Sequence, residues 1–460
     1  MTPRRRDACD GPGGRDGPVP GTDMPLRVAL TSYRSKPHSG GQGIYVRQLA
    51  HALTDLGHDV EVFSGQPYPD LDGLEALDEG SLRLTTVPSL DLYNDADPFR
   101  RPALREFRDR TDVLEYATMC TAGFPEPRTF ARRVTPMLID RRGDFDVVHD
   151  NQTLAPALLS VQDAGLPLVT TLHHPISVDR AVALDEATGW GRITQRRWYG
   201  FVRMQARTAR RLPDASVITV SENSRDDAVR DFGMRPEQFC VIPVGVDTEV
   251  FTPRGPRVPG RIVCLSSADT PMKGVPVLLR ALASLPEESP AHLIVVSRLK
   301  RGGPTERLVR ELGLGERVRF VSNLRLQELA ELLSSAEIGC VPSLYEGFSF
   351  PAIESMASGC ALVASDAGAL PEVVGRDGEA GLLVPAGDSG TLAVAIEKLL
   401  GDADLRARLG AAGRARAADQ FSWRAIGERT AQVYRHAIAQ RPSRQATLRP
   451  VHDERVARRD

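Results

Sequence analysis

Closely spaced cysteines are missing from this sequence. Its six cysteines are Cys9, Cys120, Cys240, Cys264, Cys340 and Cys360. Zinc sites and compact disulfide-linked domains usually need cysteines at short spacing, so we predict neither. The start of the chain also lacks the apolar segment of a secretory signal peptide. Both features favour a cytoplasmic location with reduced thiols.

Long apolar runs and an excess of one charge are missing as well. No run approaches the roughly 18 apolar residues that a membrane-spanning helix needs. Lysine and arginine number 58 against 60 for aspartate and glutamate, and the net charge of -2 gives no reason to expect a nucleic-acid partner. At 460 residues the chain is long for a single hydrophobic core, so we expect two domains.

The middle of the chain alternates short apolar strands with helical segments, which is typical of a doubly wound α/β fold. The predicted strands are 26–32, 59–63, 83–87, 146–150, 168–172 and 215–220, followed by 261–267, 292–296, 317–321, 338–341, 361–365 and 381–384. Proline and glycine at 243–259 indicate a linker. We therefore expect domains over 26–250 and 251–420, between disordered tails at 1–25 and 441–460 that have little to bury.

Two segments of the first half have unusual composition. Residues 65–145 are rich in proline, aspartate and arginine, and we expect them to form a long excursion that shapes a binding face. Residues 193–212 predict one amphipathic helix. Its basic stripe consists of Arg192, Arg196, Arg203, Arg207 and Arg210. This stripe is either a solvated helix face or a surface that contacts an anionic membrane or a phosphorylated acceptor.

Residues 343–359, SLYEGFSFPAIESMASG, carry two glutamates separated by seven residues. A predicted strand precedes them and Pro351 suits a first helical position, so Glu346 should lie on a loop and Glu354 in the first helical turn. The helix N-terminus, with its free N–H groups and partial positive charge, should keep Glu354 ionised. A carboxylate accepts hydrogen bonds from both hydroxyls of a vicinal diol. The stretch therefore predicts a site for an anion beside a polyol.

Polar residues at other strand ends complete the candidate site. Residues 149–152 lie at the end of one predicted strand, and His173 with His174 follows another. Ligands of open parallel sheets bind at this edge, although a lone histidine is more often structural. Gly40 and Gly41, in the loop after the first strand, would let backbone N–H groups approach a phosphate, or would simply form a turn.

The two glutamates and their spacing resemble the signature of glycosyltransferase family 4. The strings VGVD at 244–247 and FSW at 421–423 are similar to segments of the same family. Members of this family adopt the GT-B fold, so the resemblance implies two doubly wound, Rossmann-like domains that face a central cleft. It also implies that a helix over 421–440 crosses back to pack on the first domain.

The resemblance implies a role for each site residue. Glu346 would lie at the transferred sugar, and Glu354 would bind the ribose hydroxyls of a nucleotide sugar. Lys273, followed by Gly274, would neutralise the donor diphosphate and the charge of the leaving group. His173 would lie near the transferred sugar. The other donor-binding residues that the resemblance implies are Gly347, Phe348, Ser349, Gly40 and Gly41.

One position departs from the family pattern. The family usually has an arginine five residues before the lysine that corresponds to Lys273, and this sequence has Ala268 there. One of the two usual cations at the diphosphate is therefore missing. Arg298 or Lys300, on the loop after the next strand, could replace it.

The implied activity is retaining transfer of a hexose from a UDP- or GDP-linked donor to a hydroxyl of an alcohol, sugar or glycolipid. No metal or other cofactor is implied. Two Asp-x-Asp pairs, at 70–72 and 95–97, do not follow buried strands, and aspartate is common in turns. A nucleotide-sugar 2-epimerase of the same fold and a catalytically weakened binding protein are the alternatives. The sequence identifies neither the donor base, nor the sugar, nor the acceptor.

Overall fold

Two parallel β-sheets organise the computed structural model, which describes residues 24–36, 41–71, 81–94, 97–375 and 378–440. The strands of the first sheet are β1 Arg27–Ser32, β2 Asp59–Ser64, β3 Leu82–Thr86, β4 Val147–Asn151, β5 Leu168–Leu172, β6 Val217–Thr219 and β7 Phe239–Val241. Those of the second sheet are β8 Val258–Leu265, β9 His292–Val296, β10 Val318–Val321, β11 Ala336–Val341, β12 Ala361–Asp366 and β13 Leu382–Pro385.

The strand orders are β3-β2-β1-β4-β5-β6-β7 and β10-β9-β8-β11-β12-β13. In each sheet the order reverses once, between β1 and β4 and between β8 and β11. Ligands of doubly wound sheets bind in the crevice that such a reversal opens at the carboxyl ends of the strands. The two doubly wound sheets that the sequence predicted are confirmed, and β7 is a strand that it missed.

Helices connect the strands of both sheets. The helices between strands of the first sheet are α1 Gly41–Asp55, α2 Arg110–Cys120, α3 Glu126–Asp140, α4 Leu159–Asp163, α5 Ser177–Glu186, α6 Gly189–Trp198, α7 Gly200–Ala209 and α8 Glu222–Phe232. The others are α9 Val275–Ala283, α10 Pro304–Glu311, α11 Leu326–Ser334, α12 Phe350–Ala357, α13 Leu370–Val374, α14 Ser389–Gly401, α15 Ala403–Gln420 and α16 Trp423–Ala439. In the described part of the chain, no helix is both long and apolar enough to cross a membrane.

Each sheet has a hydrophobic core on both faces. Val28 and Leu30 of β1 pack with α1 and α16, whereas Ala29, between them, packs on the opposite face with α3. Ile262 and Val263 of β8 divide in the same way between the two cores of the second sheet. Successive strand residues point to opposite faces, so strands buried on both sides become continuously apolar. This is why the sequence predicted most strands well.

The described backbone passes from the first sheet to the second in the linker and returns just before α16. These two passages lie next to each other. The Val246 N–H donates to the Phe421 carbonyl at 2.7 Å, and Val246 also forms a bridge with Ser422. Gly245 is required here, because a Cβ on it would lie 2.5 Å from the Trp423 ring. The linker and the returning chain therefore run side by side, and α16 then joins the core of the first sheet.

The long excursion before β4 contains two helices, α2 and α3, that the sequence did not predict. In α3, Phe130, Val134 and Leu138 are buried at helical spacing, but Pro127 and Pro136 obscured this pattern. Proline is well tolerated in the first turn of a helix. In α2 the buried residues are carboxylates that pair with arginine rather than apolar residues, so hydrophobic periodicity could not reveal that helix.

The predicted helix over 193–212 is two helices. It breaks at Tyr199 and Gly200, where α6 ends and α7 begins. A glycine inside a helix is less favourable than alanine, which suits this position for a break. The five arginines of the predicted stripe are all exposed, as expected, but they are divided between two helices.

Candidate functional site

Lys273 and Glu346 meet at the reversal of strand order in the second sheet. Lys273 follows β8 and Glu346 follows the neighbouring strand β11. The Lys273 Nζ lies 2.8 and 3.1 Å from the two carboxylate oxygens of Glu346. The Ser343 hydroxyl donates a third hydrogen bond to this carboxylate at 2.7 Å. Glu346 is 8% exposed, so a nearly buried carboxylate is paired with the cation predicted to hold the diphosphate.

Gly274 brings the two loops together. It adopts a left-handed conformation with φ of +66°, and a Cβ at this position would lie 1.9 Å from the Pro342 carbonyl oxygen. The Leu344 N–H donates to the Met272 carbonyl at 2.8 Å. Only glycine permits this close approach of backbones. The Lys-Gly pair therefore places the ammonium group beside the Glu346 loop.

Glu354 lies on α12, one residue further into the helix than the sequence predicted. The helix begins at Phe350, so Pro351 is its second residue and Glu354 its fifth. The Ser349 hydroxyl caps the helix by accepting from the Ala352 N–H at 3.3 Å. Burial raises the pKa of Glu354 to about 7. Desolvation therefore opposes the helix dipole that was predicted to keep Glu354 ionised, and the raised pKa shifts this carboxyl towards its protonated form.

His173 follows β5 in the first sheet. Its Nε2 lies 2.8 Å from Oδ1 of Asn151, and the ring of Tyr45 packs edge-on against it at 4.8 Å. An amide oxygen only accepts hydrogen bonds, so Nε2 carries the hydrogen and Nδ1 is left as an acceptor. Burial and, to a smaller extent, His174 and His149 lower the pKa of His173 to about 3. The ring is therefore neutral at physiological pH.

Gln152 holds His173 and His174, which we call the histidine segment, in place. Its Oε1 accepts from the His173 N–H at 2.8 Å, and its Nε2 donates to the His174 carbonyl at 2.9 Å. Gln152 is 1% exposed and adopts a left-handed φ of 54°. The sequence placed this residue at a strand end but gave no sign that its amide bridges two backbone groups.

The histidine segment and the Glu346 loop are in contact, although they belong to different sheets. A Cβ on Gly347 would lie 3.1 Å from the Cβ of His174. A Cβ on Gly41, the first residue of α1, would lie 3.4 Å from the Phe350 ring. Phe348 packs edge-on against Phe421 with 5.9 Å between ring centroids. The structure thus brings Gly41 and His174 of the first half of the chain next to Phe350 and Gly347 of the second half.

Three predicted features are not joined to this group. Arg298 is exposed on the loop after β9, and among the described residues no hydrogen bond or ion pair connects it to Lys273 or Glu346. Ala268 is 2% exposed and packs in the core of the second sheet, so its side chain is part of that core. Gly40 lies outside the described residues.

Two family models match the chain. "Glycosyltransferase Family 4" matches residues 39–250, and "Glycosyl transferases group 1" matches residues 248–416. The chain is 53% identical over 414 residues to the MMP alpha-(1->4)-mannosyltransferase of Mycolicibacterium hassiacum, which covers 90% of this chain and 99% of that protein. It is 31% identical to a D-inositol 3-phosphate glycosyltransferase of Xylanimonas cellulosilytica, over 93% of this chain and 100% of that protein.

Solved structures resemble the whole fold. The sucrose-phosphate synthase of Thermosynechococcus elongatus has a TM-score of 0.66 at 25% identity, and covers 90% of this chain and 99% of its own. Anabaena HepE in complex with UDP-glucose has a TM-score of 0.62 at 19% identity, and covers 89% of this chain and 100% of its own. At that identity the second likeness concerns the fold alone.

Proposed function

Because this chain belongs to glycosyltransferase family 4, with the GT-B fold, we propose that it transfers a mannosyl group from a nucleotide sugar to a hydroxyl group. The new linkage is α, so the configuration of the donor is retained. The observation that carries this proposal is the Lys273–Glu346 pair at the strand reversal, which lies against the histidine segment of the other sheet. Sugar and linkage follow the name of the 53% identical relative.

The donor binds the second domain in this proposal. An ammonium group has three N–H donors, so Lys273 can keep its contacts with Glu346 and still reach a diphosphate oxygen. Glu354, in α12, accepts hydrogen bonds from the ribose hydroxyls. Glu346 lies at the transferred sugar, where its pairing with Lys273 holds the carboxylate in one orientation. The backbone N–H groups of Phe348 and Ser349 are further donors to the sugar.

The acceptor binds the first domain, and the reaction is a displacement at the anomeric carbon. The bond between this carbon and the diphosphate oxygen breaks, and a bond to the acceptor oxygen forms on the same face. The acceptor proton moves to the leaving phosphate oxygen, so no enzymic base is needed. Lys273 stabilises the charge that develops on the diphosphate. The neutral His173, with Nδ1 free to accept, orients a sugar hydroxyl.

A donor panel tests the proposal. GDP-mannose, UDP-glucose and UDP-N-acetylglucosamine are each incubated with the enzyme and α-mannoside acceptors, and the product linkage is determined by NMR. We expect α-mannoside formation from the mannose donor. Transfer of glucose alone, or a β-linked product, contradicts the proposal. Epimerised sugar released without an acceptor supports the epimerase alternative.

We propose that the reaction needs no metal, because Lys273 supplies the cation at the diphosphate. Activity should therefore be unchanged after dialysis against EDTA. Loss of activity that Mg²⁺ or Mn²⁺ restores, while Na⁺ does not, shows that the assignment is wrong.

A cytoplasmic location and a peripheral contact with anionic membrane also remain predictions.

A further inference from the structure

The N-terminal half of α8 and its cap residue Ser221, in the first-sheet domain, bind both sequence neighbours of Glu346. The Gly347 carbonyl accepts from the hydroxyls of Ser221 and Ser224, at 2.8 and 3.0 Å. The Tyr345 hydroxyl donates to the carboxylate of Asp227. Glu346 itself contacts only second-domain partners through its carboxylate, namely Lys273 and Ser343, among the contacts of the described residues. The loop is therefore held from the first domain on either side of its central residue.

A second contact reinforces this junction. The carboxylate of Glu372, in α13, accepts from the backbone N–H groups of Glu222 and Asn223 at 2.7 and 2.8 Å. These are orphan donors of the α8 N-terminus, and an anion is favoured there. Just before α13, the Ala369 N–H donates to the carbonyl of Glu346 at 2.8 Å. The Glu372 contact and the Glu346 backbone thus share one short segment.

From this arrangement we propose that α8 is a positioning element for the transfer step. Its residues Asp227 and Ser224 and its cap Ser221, with Tyr345 and Glu372 opposite them, fix the backbone of Glu346 when the domains are together. They are positioning residues, because they act through Glu346 and not on the substrate. The inference rests on the role proposed above for Glu346.

The arrangement separates nucleotide binding from catalysis. Lys273 and Glu354 belong wholly to the second domain, and the α8 contacts do not include them. Opening the junction should therefore free the Glu346 loop and leave the nucleotide contacts intact. A displacement of about 1 Å in a reacting group can lower the rate about 10²-fold. We expect loss of kcat with little change in the affinity for a nucleoside diphosphate.

Asp227→Ala tests the proposal, with Asp226→Ala as its matched control. The two aspartates are adjacent on α8, but the Asp227 side chain is 7% exposed and that of Asp226 is 69% exposed. Amide hydrogen exchange is measured in residues 344–347. Exchange there should rise severalfold in Asp227→Ala and stay unchanged in Asp226→Ala. Unchanged exchange in Asp227→Ala overturns the proposal whether or not the enzyme has the proposed activity.

Kinetic measurements give the second arm. Tyr345→Phe removes only the hydroxyl and should lower kcat about tenfold or more, while the Kd for the nucleoside diphosphate changes less than about twofold. Asp227→Asn keeps an oxygen that accepts from Tyr345, and so it should restore most of the rate lost in Asp227→Ala. In a Glu346→Gln background, Tyr345→Phe should have no further effect on kcat. Additive losses, or equal losses of binding and rate, overturn the proposal.

Discussion

The Lys273–Glu346 pair joins two residues that are 73 positions apart in sequence. The carboxylate is 8% exposed, so removal of the ammonium group would leave a nearly buried charge whose remaining side-chain partner, among the described residues, is Ser343. The pair therefore serves two purposes in our proposal. It orients Glu346 before the donor binds, and it places a cation where the diphosphate charge develops.

Lys273→Ala should lower kcat/KM about 10²-fold or more, because a preorganised cation at the leaving group contributes roughly 3 kcal/mol to the transition state. Lys398→Ala is the control, because Lys398 is exposed on α14 of the same domain. Steady-state kinetics with the nucleotide sugar measure both variants. If Lys273→Ala keeps activity within about threefold of wild type, Lys273 is not the diphosphate cation, and Arg298 or Lys300 becomes the better candidate.

The raised pKa of Glu354 predicts pH-dependent donor binding. Burial raises this pKa to about 7, so the carboxyl is mostly protonated at pH 6 and mostly ionised at pH 8. Ribose hydroxyls donate best to the ionised form. The Kd for the nucleotide sugar should therefore fall up to about tenfold between pH 6 and pH 8.

Calorimetric titration at both pH values tests this dependence, with Glu354→Gln as the control. A nucleotide sugar is the ligand, because its diphosphate has no terminal group that titrates in this range. Glu354→Gln should bind weakly and equally at both pH values. Tighter binding of wild type at pH 6 contradicts the role of Glu354. The raised pKa also affects folding stability. The stability that Glu354 contributes should fall as the pH rises from the pKa of this carboxyl in the unfolded chain to its pKa of about 7 in the folded protein.

Residues of the site differ in how far sequence could reveal them. Glu346, Lys273 and His173 stand in short recognisable strings, and the structure places them around one junction. Gln152 stands in no such string, and Tyr345 stands beside Glu346 without any sign in the sequence of its contacts. The partners of Tyr345 are 118 and 122 positions away, and only the fold brings them together.

Elements of secondary structure were predictable where apolar residues determine them. The strands β5 and β9 agree with the sequence to the residue, since both are short and apolar between turns. Helix α2 was not predictable, because its buried residues Asp112 and Glu115 are charged and are paired with Arg133. Ion pairs between helices satisfy buried charges without any hydrophobic repeat.

The helices α6 and α7 carry the exposed arginines and, on α6, two exposed apolar residues. Trp190 is 78% exposed and Ile193 is 47% exposed. Arginine beside exposed tryptophan suits the interface of an anionic membrane. Each arginine contributes about 1 kcal/mol near such a surface, which is enough for reversible attachment at low salt.

Co-sedimentation with phosphatidylglycerol vesicles tests whether α6 and α7 contact an anionic membrane. Wild type should pellet at low salt and stay in the supernatant at high salt, because salt screens the attraction. The triple variant Arg203→Glu, Arg207→Glu, Arg210→Glu should stay in the supernatant at both. Phosphatidylcholine vesicles control for contact through Trp190 alone. If wild type does not pellet at low salt, the arginines form only a solvated face and a soluble acceptor is favoured.

At the scale of the whole molecule, α16, the last helix of the described residues, links the two sheets. α15 packs in the cores of the second sheet, and α16 then returns to the core of the first. Alternating strands and helices predicted two doubly wound units, but they do not tell which unit the last helix joins. The expectation that this helix packs on the first domain came from the family resemblance. In the structure a hydrogen bond fixes the helix: the Tyr434 hydroxyl lies 2.6 Å from Nδ1 of His149, in the middle of the first sheet.

Tyr434→Phe therefore tests the docking of α16. Tyr434 and His149 are both 0% exposed, and burial lowers the pKa of His149 to about 3, so the ring is neutral. Without the hydroxyl, Nδ1 of His149 becomes a buried polar atom without its partner, while its Nε2 stays bonded to Thr171 at 2.7 Å. The free energy of unfolding should fall by about 1–3 kcal/mol.

Urea unfolding measures this loss, with Gln432→Ala as the control. Gln432 is exposed on the same helix, so its replacement should change the free energy of unfolding by less than about 0.5 kcal/mol. Equal stability of the two variants would show that the Tyr434–His149 bond does not hold the helix. The apolar residues of α16, Trp423, Ile426 and Val433, would then account for its docking by burial alone.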